Sequence, residues 1–290
     1  MSSRVNVNFD PRGAEKYRFP PKRPTEANPP VKIHHYPILE STNLEAKRLW
    51  EDAPTVHQPF AVVAREQNGG VGRNGRPWHS PVGGLWLTMA WPIRKPLAAY
   101  GSLPLAAGEV LARTLEEHYH LLFPPRIKWP NDIFVFDRKL AGILCSSETH
   151  QGRAYILIGV GVNGFFPATA LGTELRHPAT TLGDLLAGQG MEEDIDSFGR
   201  DYVGRLEVAL EQFEERGLAP FLEGLRMRLA WIGERVVAED TNGQHRIAGV
   251  LEGVDEEGRL VLNVDGARRA FLSGEISRLS PEIPRGKTLV

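Results

Sequence analysis

The chain predicts an α+β fold, a larger mixed domain followed by a small all-β unit, and three observations carry that prediction. Strands and helices alternate irregularly up to about residue 230, without the regular βαβ rhythm of a parallel sheet. Beyond it, about fifty residues read as short strands separated by Asn242-Gly243, Glu257-Gly258 and Asp265-Gly266, each a hairpin signal. Glycine and proline supply 52 of the 290 residues, about 18% against a usual ~12%, which calls for many tight turns.

Residues 1–30 hold six of the 22 prolines and six basic residues against three acidic ones. Prolines at that density forbid two consecutive helices, so a helix-turn-helix is not expected there and the segment reads as a flexible or surface-draped arm. The first ordered unit begins near Val31 with a strand to about Tyr36. Ser41, Thr42 and Asn43 then open a helix, with Thr42 and Glu45 at capping-box spacing. Strands at Phe60–Ala64 and Leu85–Trp91 flank a glycine-rich loop. A helix over Leu105–Tyr119 places Ala107, Val110, Leu111 and Leu115 on one face. Strands follow near Ile127–Trp129, Ile133–Phe136, Leu140–Ser146 and Tyr155–Val162. Phe198, Tyr202, Leu206, Leu210 and Phe213 mark a long helix over Ile195–Arg216, which Gly217 stops. A short helix over Phe221–Ala230 precedes the strands Arg235–Glu239, Arg246–Val250, Leu260–Val264 and Arg268–Leu272, whose size and spacing suggest a small SH3-like barrel.

Composition narrows the function classes. The formal charge of −2 gives no global positive field to draw in nucleic acid or an anionic membrane. The single cysteine, Cys145, excludes an intramolecular disulfide and a cysteine zinc cluster, so a reducing cytoplasm is the expected compartment. The N-terminal residues lack the apolar stretch of a secretory signal. The longest uncharged run, Ala154–Thr173, carries Asn163, Pro167 and four glycines and reads as a buried strand plus loop, not a membrane helix. His34-His35 lies beside no carboxylate cluster and reads as structural.

Three segments carry chemistry. In the loop from Arg65 to Trp78, Gly69, Gly70, Gly72 and Gly75 allow backbone N–H groups to crowd an anion, and Arg73 and Arg76 add charge suited to phosphate or carboxylate. The loop is neither a Walker loop nor a dinucleotide fingerprint, and a plain surface loop is the alternative. Lys128-Trp129-Pro130-Asn131-Asp132 leads into a hairpin returning through Lys139. If Asp132 and Lys139 lie on paired strands, a carboxylate and an ammonium face one ligand; solvated surface charges are the alternative. Gly159-Val160-Gly161-Val162-Asn163 ends an apolar strand, where glycines permit close approach and an Asn amide can read an adenine edge. A simple strand-end turn is the other reading.

Together, in this order and spacing, the three segments resemble the biotin protein ligase family from about His34 to Leu279. Lys-Trp-Pro-Asn-Asp followed by Lys139-Leu140-Ala141-Gly142-Ile143-Leu144 is the most specific part. The Gln67–Trp78 loop is similar to the family's Gly-Arg-Gly-Arg-x-Gly-Arg-x-Trp signature. Ser41-Thr42-Asn43 matches its Ser-Thr-Asn, and Ser273-Gly274-Glu275-Ile276-Ser277 resembles part of its C-terminal domain. The resemblance implies a mixed-sheet catalytic domain over 31–230, an SH3-like barrel over 231–282 and a tail over 283–290.

It also implies an activity: ATP and Mg2+ activate biotin to biotinyl-5'-AMP, and the biotinyl group passes to a lysine of a carboxylase biotin carrier domain. By position, Lys139, Arg73 and Asp132 are the implied catalytic residues, with Asp132 also a magnesium candidate. Ser41, Thr42, Asn43, Gln67, Lys139, Gly142, Gly159 and Gly161 are implied for biotin. Gly70, Gly72, Arg73, Arg76, Trp78, Lys128, Asn131, Asn163 and Glu275 are implied for ATP and the adenylate. The implied partner is the carrier protein, with no nucleic acid or membrane, and a homodimer is left open. Three departures stand against the family pattern: Val71 where the loop's first arginine is usual, Cys145-Ser146 where a hydrophobic residue and Glu are usual, and Arg278 one place early. Val71 keeps open a catalytically weak paralogue that binds biotin or adenylate. A lipoate or octanoate transferase would call for an Arg-Arg-x-Ser-Gly-Gly-Gly-Ala loop, absent here.

Overall fold

Short apolar runs, continuous in Phe60–Ala64 and Leu85–Pro92 where both faces are covered, become the strands of two sheets, and runs of period 3.6 become the helices that cover one of them. The computed structural model describes residues 31–52, 58–172, 177–187, 194–240 and 246–279; the expected arm, the tail and the Asn242-Gly243 turn lie outside them. The elements in order are β1 (Lys32–Tyr36), α1 (Thr42–Glu51), β2 (Phe60–Ala64), β3 (Leu85–Pro92), α2 (Leu103–Tyr119), β4 (Arg126–Lys128), β5 (Asp132–Val135), β6 (Arg138–His150), β7 (Arg153–Val162), α3 (Leu182–Leu185), α4 (Ile195–Arg216), α5 (Leu222–Arg228), β8 (Arg235–Glu239), β9 (Arg246–Val254), β10 (Leu260–Val264), β11 (Ala267–Phe271) and β12 (Glu275–Arg278). The class is α+β, as the irregular order predicts.

The first seven strands form one sheet in the order β1-β2-β3-β7-β6-β5-β4, parallel only between β1 and β2. On one face, α2 and α4 cover the sheet; a Cβ on Gly108 of α2 would lie 3.3 Å from Ile143 Cδ1 of β6. The other face carries α1, whose Ala46 and Trp50 pack on Val62, Ala90, Tyr155 and Leu157. Because α1 covers only part of that face, the rest is left for a ligand.

The last five strands form an antiparallel sheet, β11-β10-β9-β8-β12. It is tied to the first domain by a turn. Trp129 Nε1 donates to Gly258 O at 3.0 Å, and a Cβ on Gly258 would lie 2.6 Å from Ser102 Cβ at the start of α2.

Several local expectations shift. Ser41, not Thr42, caps α1, its Oγ accepting from Asn43 N at 3.2 Å. The expected capping box does not form, because Glu45 accepts from Tyr36 OH and Arg48. Phe136 leaves the strand: it and Asp137 both have positive φ, 51° and 57°, and make the turn between β5 and β6. The strand at β6 runs to His150, beyond the expected Ser146, since β7 pairs with it along its whole length. The unanticipated β12 lacks an apolar alternation and forms because β8 offers it an edge.

Candidate active site

A cavity of about 340 Å3 opens on the face beside α1, within the size range of small-molecule sites. Its floor is made of absent side chains. Gly142 of β6 pairs with Gly161 of β7, and Leu144 with Gly159, so the three glycines share one face. That space is used at once: a Cβ on Gly159 would lie 2.7 Å from Asn43 Oδ1, and one on Gly161 2.5 Å from Trp78 Nε1. Trp78 Nε1 is itself buried with no hydrogen-bond partner.

One wall is a polar chain at the N-terminus of α1. Gln67 Oε1 accepts from Thr42 N at 2.8 Å and from Thr42 Oγ1 at 3.1 Å, and Gln67 Nε2 donates to Ser80 Oγ at 2.8 Å. Thr88 on β3 joins Thr42 Oγ1, 2.8 Å away, to Asn43 Oδ1. Gln67 is held there because the chain pairs locally with Leu39 on one side and Ser80 on the other. Behind it the glycine-rich loop closes on itself, with Trp78 N donating to Gly70 O at 2.8 Å and Gly72 N to Arg76 O at 2.7 Å.

The opposite wall carries the charges. Asp132 and Lys139 stand on the paired strands β5 and β6, with Lys139 Nζ 2.6 Å from Asp132 Oδ1. Lys128 Nζ lies 3.9 Å from the other oxygen of Asp132 and 3.1 Å from His177 Nε2. Lys139 Nζ sits 5.1 Å from the Trp78 ring centroid, a cation–π arrangement above the glycine floor. Arg73 donates to Asn131 Oδ1 at 3.1 Å and to Gly274 O at 3.2 Å, and Arg76 donates to Glu275 Oε1 at 2.8 Å. The second sheet therefore closes one side of the site through the loop arginines. Several cations gathered on one wall beside a glycine floor suit a ligand that carries carboxylate and phosphate together.

The site residues singled out from the sequence line this cavity, with one exception. Gly70 does not. It is needed for packing, since a Cβ there would fall 2.6 Å from Trp78 O and 2.9 Å from Ser80 Oγ. Asn163 lines the cavity, but both N–H donors of its amide are taken, by Lys139 O at 3.2 Å and Thr180 O at 3.0 Å. It ties β6 to the segment before α3, and an adenine edge could meet only its Oδ1. Asp132 was also a metal candidate. Its two oxygens face two ammoniums, and among the described residues no three His, Cys, Asp or Glu side chains gather as a metal site.

Sequence reasoning missed Thr88, Ser80 and His177. Thr88 and Ser80 read as ordinary strand and loop polars, although each is buried with its hydroxyl in the Gln67 chain. Thr88 pairs with Gly159, and a polar residue in an otherwise apolar strand opposite a glycine is the signal that could have found it. His177 follows no motif. Cys145, on β6, does not line the cavity, and burial pushes its thiol up to about 12.

The chain is similar to known proteins over most of its length. Residues 37–163 match the model of the biotin/lipoate A/B protein ligase family, and residues 231–279 that of the biotin protein ligase C terminal domain. The bifunctional ligase/repressor BirA of Salmonella typhimurium is 33% identical over 249 residues, covering 85% of this chain and 74% of that protein. The biotin–[acetyl-CoA-carboxylase] ligase of Paracoccus denitrificans is 30% identical, covering 82% of this chain and 96% of that one. Among solved structures, the biotin protein ligase of Aquifex aeolicus in complex with biotin and ATP superposes with a TM-score of 0.70 at 26% identity. It covers 86% of this chain and 99% of its own.

Proposed function

The chain belongs to the biotin/lipoate A/B protein ligase family, and from that premise we propose how its cavity works. The enzyme is an ATP-dependent biotin protein ligase that attaches biotin to a carboxylase. The observation that carries the residue-level reading is the convergence of Lys139, Asp132, Lys128 and Arg73 on one side of a glycine-floored cavity whose other side is the Ser41–Thr42–Gln67 polar chain.

In this reading Ser41, Thr42 and Gln67 orient the ureido head of biotin, and Gly142, Gly159 and Gly161 let its ring and tail lie against the sheet. The tail ends at Lys139. A biotin carboxylate oxygen attacks the α-phosphorus of ATP; the new P–O bond forms as the bond to the β-phosphate oxygen breaks, and pyrophosphate leaves. Two anions must meet in that step, and Lys139 offsets their repulsion while Lys128, Arg73 and Arg76 face the phosphates. Asp132 holds Lys139 in place and later orients the incoming amine. A carrier lysine nitrogen then attacks the mixed-anhydride carbonyl, forming the amide, losing a proton and expelling AMP. Trp78 packs beside the intermediate. Asn131, with Gly72 and Asn163, frames the nucleotide, and Glu275 anchors Arg76 from the C-terminal sheet.

Magnesium belongs here to the substrate. A magnesium ion is bound mostly by ATP phosphates and water, and the described residues form no cage of their own for it. The single cysteine fits a reducing compartment, and we place the enzyme in the cytoplasm.

The test is incubation of the purified chain with biotin, MgATP and a biotin carboxyl carrier domain, reading pyrophosphate and streptavidin-reactive carrier. Both products are expected. Val71, half-exposed on the cavity wall, favours a second reading in which adenylate forms but is poorly retained. Pyrophosphate release without carrier labelling would select that reading, and no pyrophosphate would end both.

A further inference from the structure

We propose that His177 is a positioning residue that holds Lys128 for the nucleotide, an inference that rests on the reading of Lys128 as a phosphate-facing cation. Lys128 is only 3% exposed, and a buried ammonium must have its hydrogen bonds supplied by the protein. Lys128 Nζ lies 3.1 Å from His177 Nε2 and 3.9 Å from Asp132 Oδ2, with the Phe134 and Trp231 rings at 5.6 and 6.0 Å. An ammonium only donates, so His177 must present the lone pair of Nε2 and carry its proton on Nδ1. The imidazole is itself fixed by the Phe134 edge, with ring centroids 5.7 Å apart.

The consequence concerns Asp132. One carboxylate stands between two lysines, at 2.6 Å from Lys139 and 3.9 Å from Lys128. Losing the acceptor at position 177 removes a restraint that holds Lys128 off Asp132, which it already approaches at 3.9 Å. His177 thus keeps the two cations apart, one for the carboxyl end of the reaction and one for the phosphates.

Biotin-dependent ATP–pyrophosphate exchange by the full chain tests this, comparing wild type with His177→Leu, His177→Ala, His177→Gln and Lys128→Met. The Leu and Ala variants should raise KM for ATP by about ten- to a hundredfold, the range for losing a hydrogen bond to a charged group, with KM for biotin moving less than about threefold. Gln, which keeps an acceptor, should recover most of that loss. His177 is only partly buried, so these variants should fold, and a melting curve for each establishes it. Lys128→Met raising KM for ATP while His177→Leu and His177→Ala leave it at the wild-type value would overturn the role of His177 alone. Both KM values rising together, with no rescue by Gln, would reduce His177 to a structural part. Lys128→Met with a wild-type KM for ATP would overturn the reading of Lys128, and this inference with it.

Discussion

Replacing Lys139 by alanine separates stability from chemistry at this site. At an effective dielectric constant of about 20, the attraction between Lys139 Nζ and Asp132 Oδ1 at 2.6 Å is about 6 kcal/mol before desolvation is subtracted. On the same scale Lys128, at 3.9 Å from Asp132, still supplies about 4 kcal/mol, so the carboxylate is not left alone in the variant. The stability lost should therefore fall below the ~3–5 kcal/mol of breaking an isolated buried pair, at about 1–2 kcal/mol. The chemical loss is larger. In the proposed reaction Lys139, the ammonium above the glycine floor, stands where carboxylate and phosphate meet, and removing one preorganised donor from such a position costs about 10²–10³ in rate. The assay is pyrophosphate release at saturating biotin and MgATP, alongside a melting curve. A folded alanine variant that releases pyrophosphate at the wild-type rate would refute the assignment of Lys139, whatever its melting temperature.

Four further outcomes are expected. Gly70→Ala drives a Cβ to 2.6 Å from the Trp78 carbonyl oxygen, a backbone atom that cannot rotate away. It should cost about 1–3 kcal/mol and weaken biotin binding by calorimetry, and unchanged binding would mean that the loop gives way there. Arg73→Gly removes the contacts to Asn131 and Gly274 and should speed adenylate escape, whereas Val71→Arg should slow it; an off-rate no slower than wild type in Val71→Arg would show that the valine is no deficit. Deleting residues 232–290 takes away Glu275, Gly274 and the Gly258 carbonyl that accepts from Trp129, so ligation should collapse, and a folded truncation with the full transfer rate contradicts this. Cys145, half-buried and with its thiol pushed up to about 12 by burial, should react with iodoacetamide at pH 8 more slowly than a free thiol until the protein unfolds, and native protein labelled at the free-thiol rate would contradict that shift.

The candidate site was readable in outline wherever chemistry depends on residue type at short spacing. The run from Lys128 to Lys139 spans one hairpin, in which Asp132 pairs with Gly142 and Lys139 with Phe134, and the long Lys139 side chain reaches back to Asp132 on the neighbouring strand. Helices with a clear apolar face, such as Ile195–Arg216, were equally legible, because periodicity is a local property of the chain. Helix caps and strand ends were less so. Ser41 or Thr42 could have capped α1, and what decided between them was Gln67, 25 residues away, which takes the Thr42 amide and hydroxyl.

By itself, then, the sequence determined the fold class, the family and most of the residues that line the cavity. Only the tertiary structure decided which of their polar groups are open to the cavity and which are taken up in holding its walls. Gly70 and Asn163 look like binding residues in a motif. In three dimensions one makes room for the Trp78 backbone, and the other gives both amide protons to main-chain carbonyls. His177 lies 49 positions from Lys128 in the chain and 3.1 Å from it in space. No local pattern can encode such a pair: the buried ammonium requires an acceptor, but which residue supplies it is settled only when distant segments pack together.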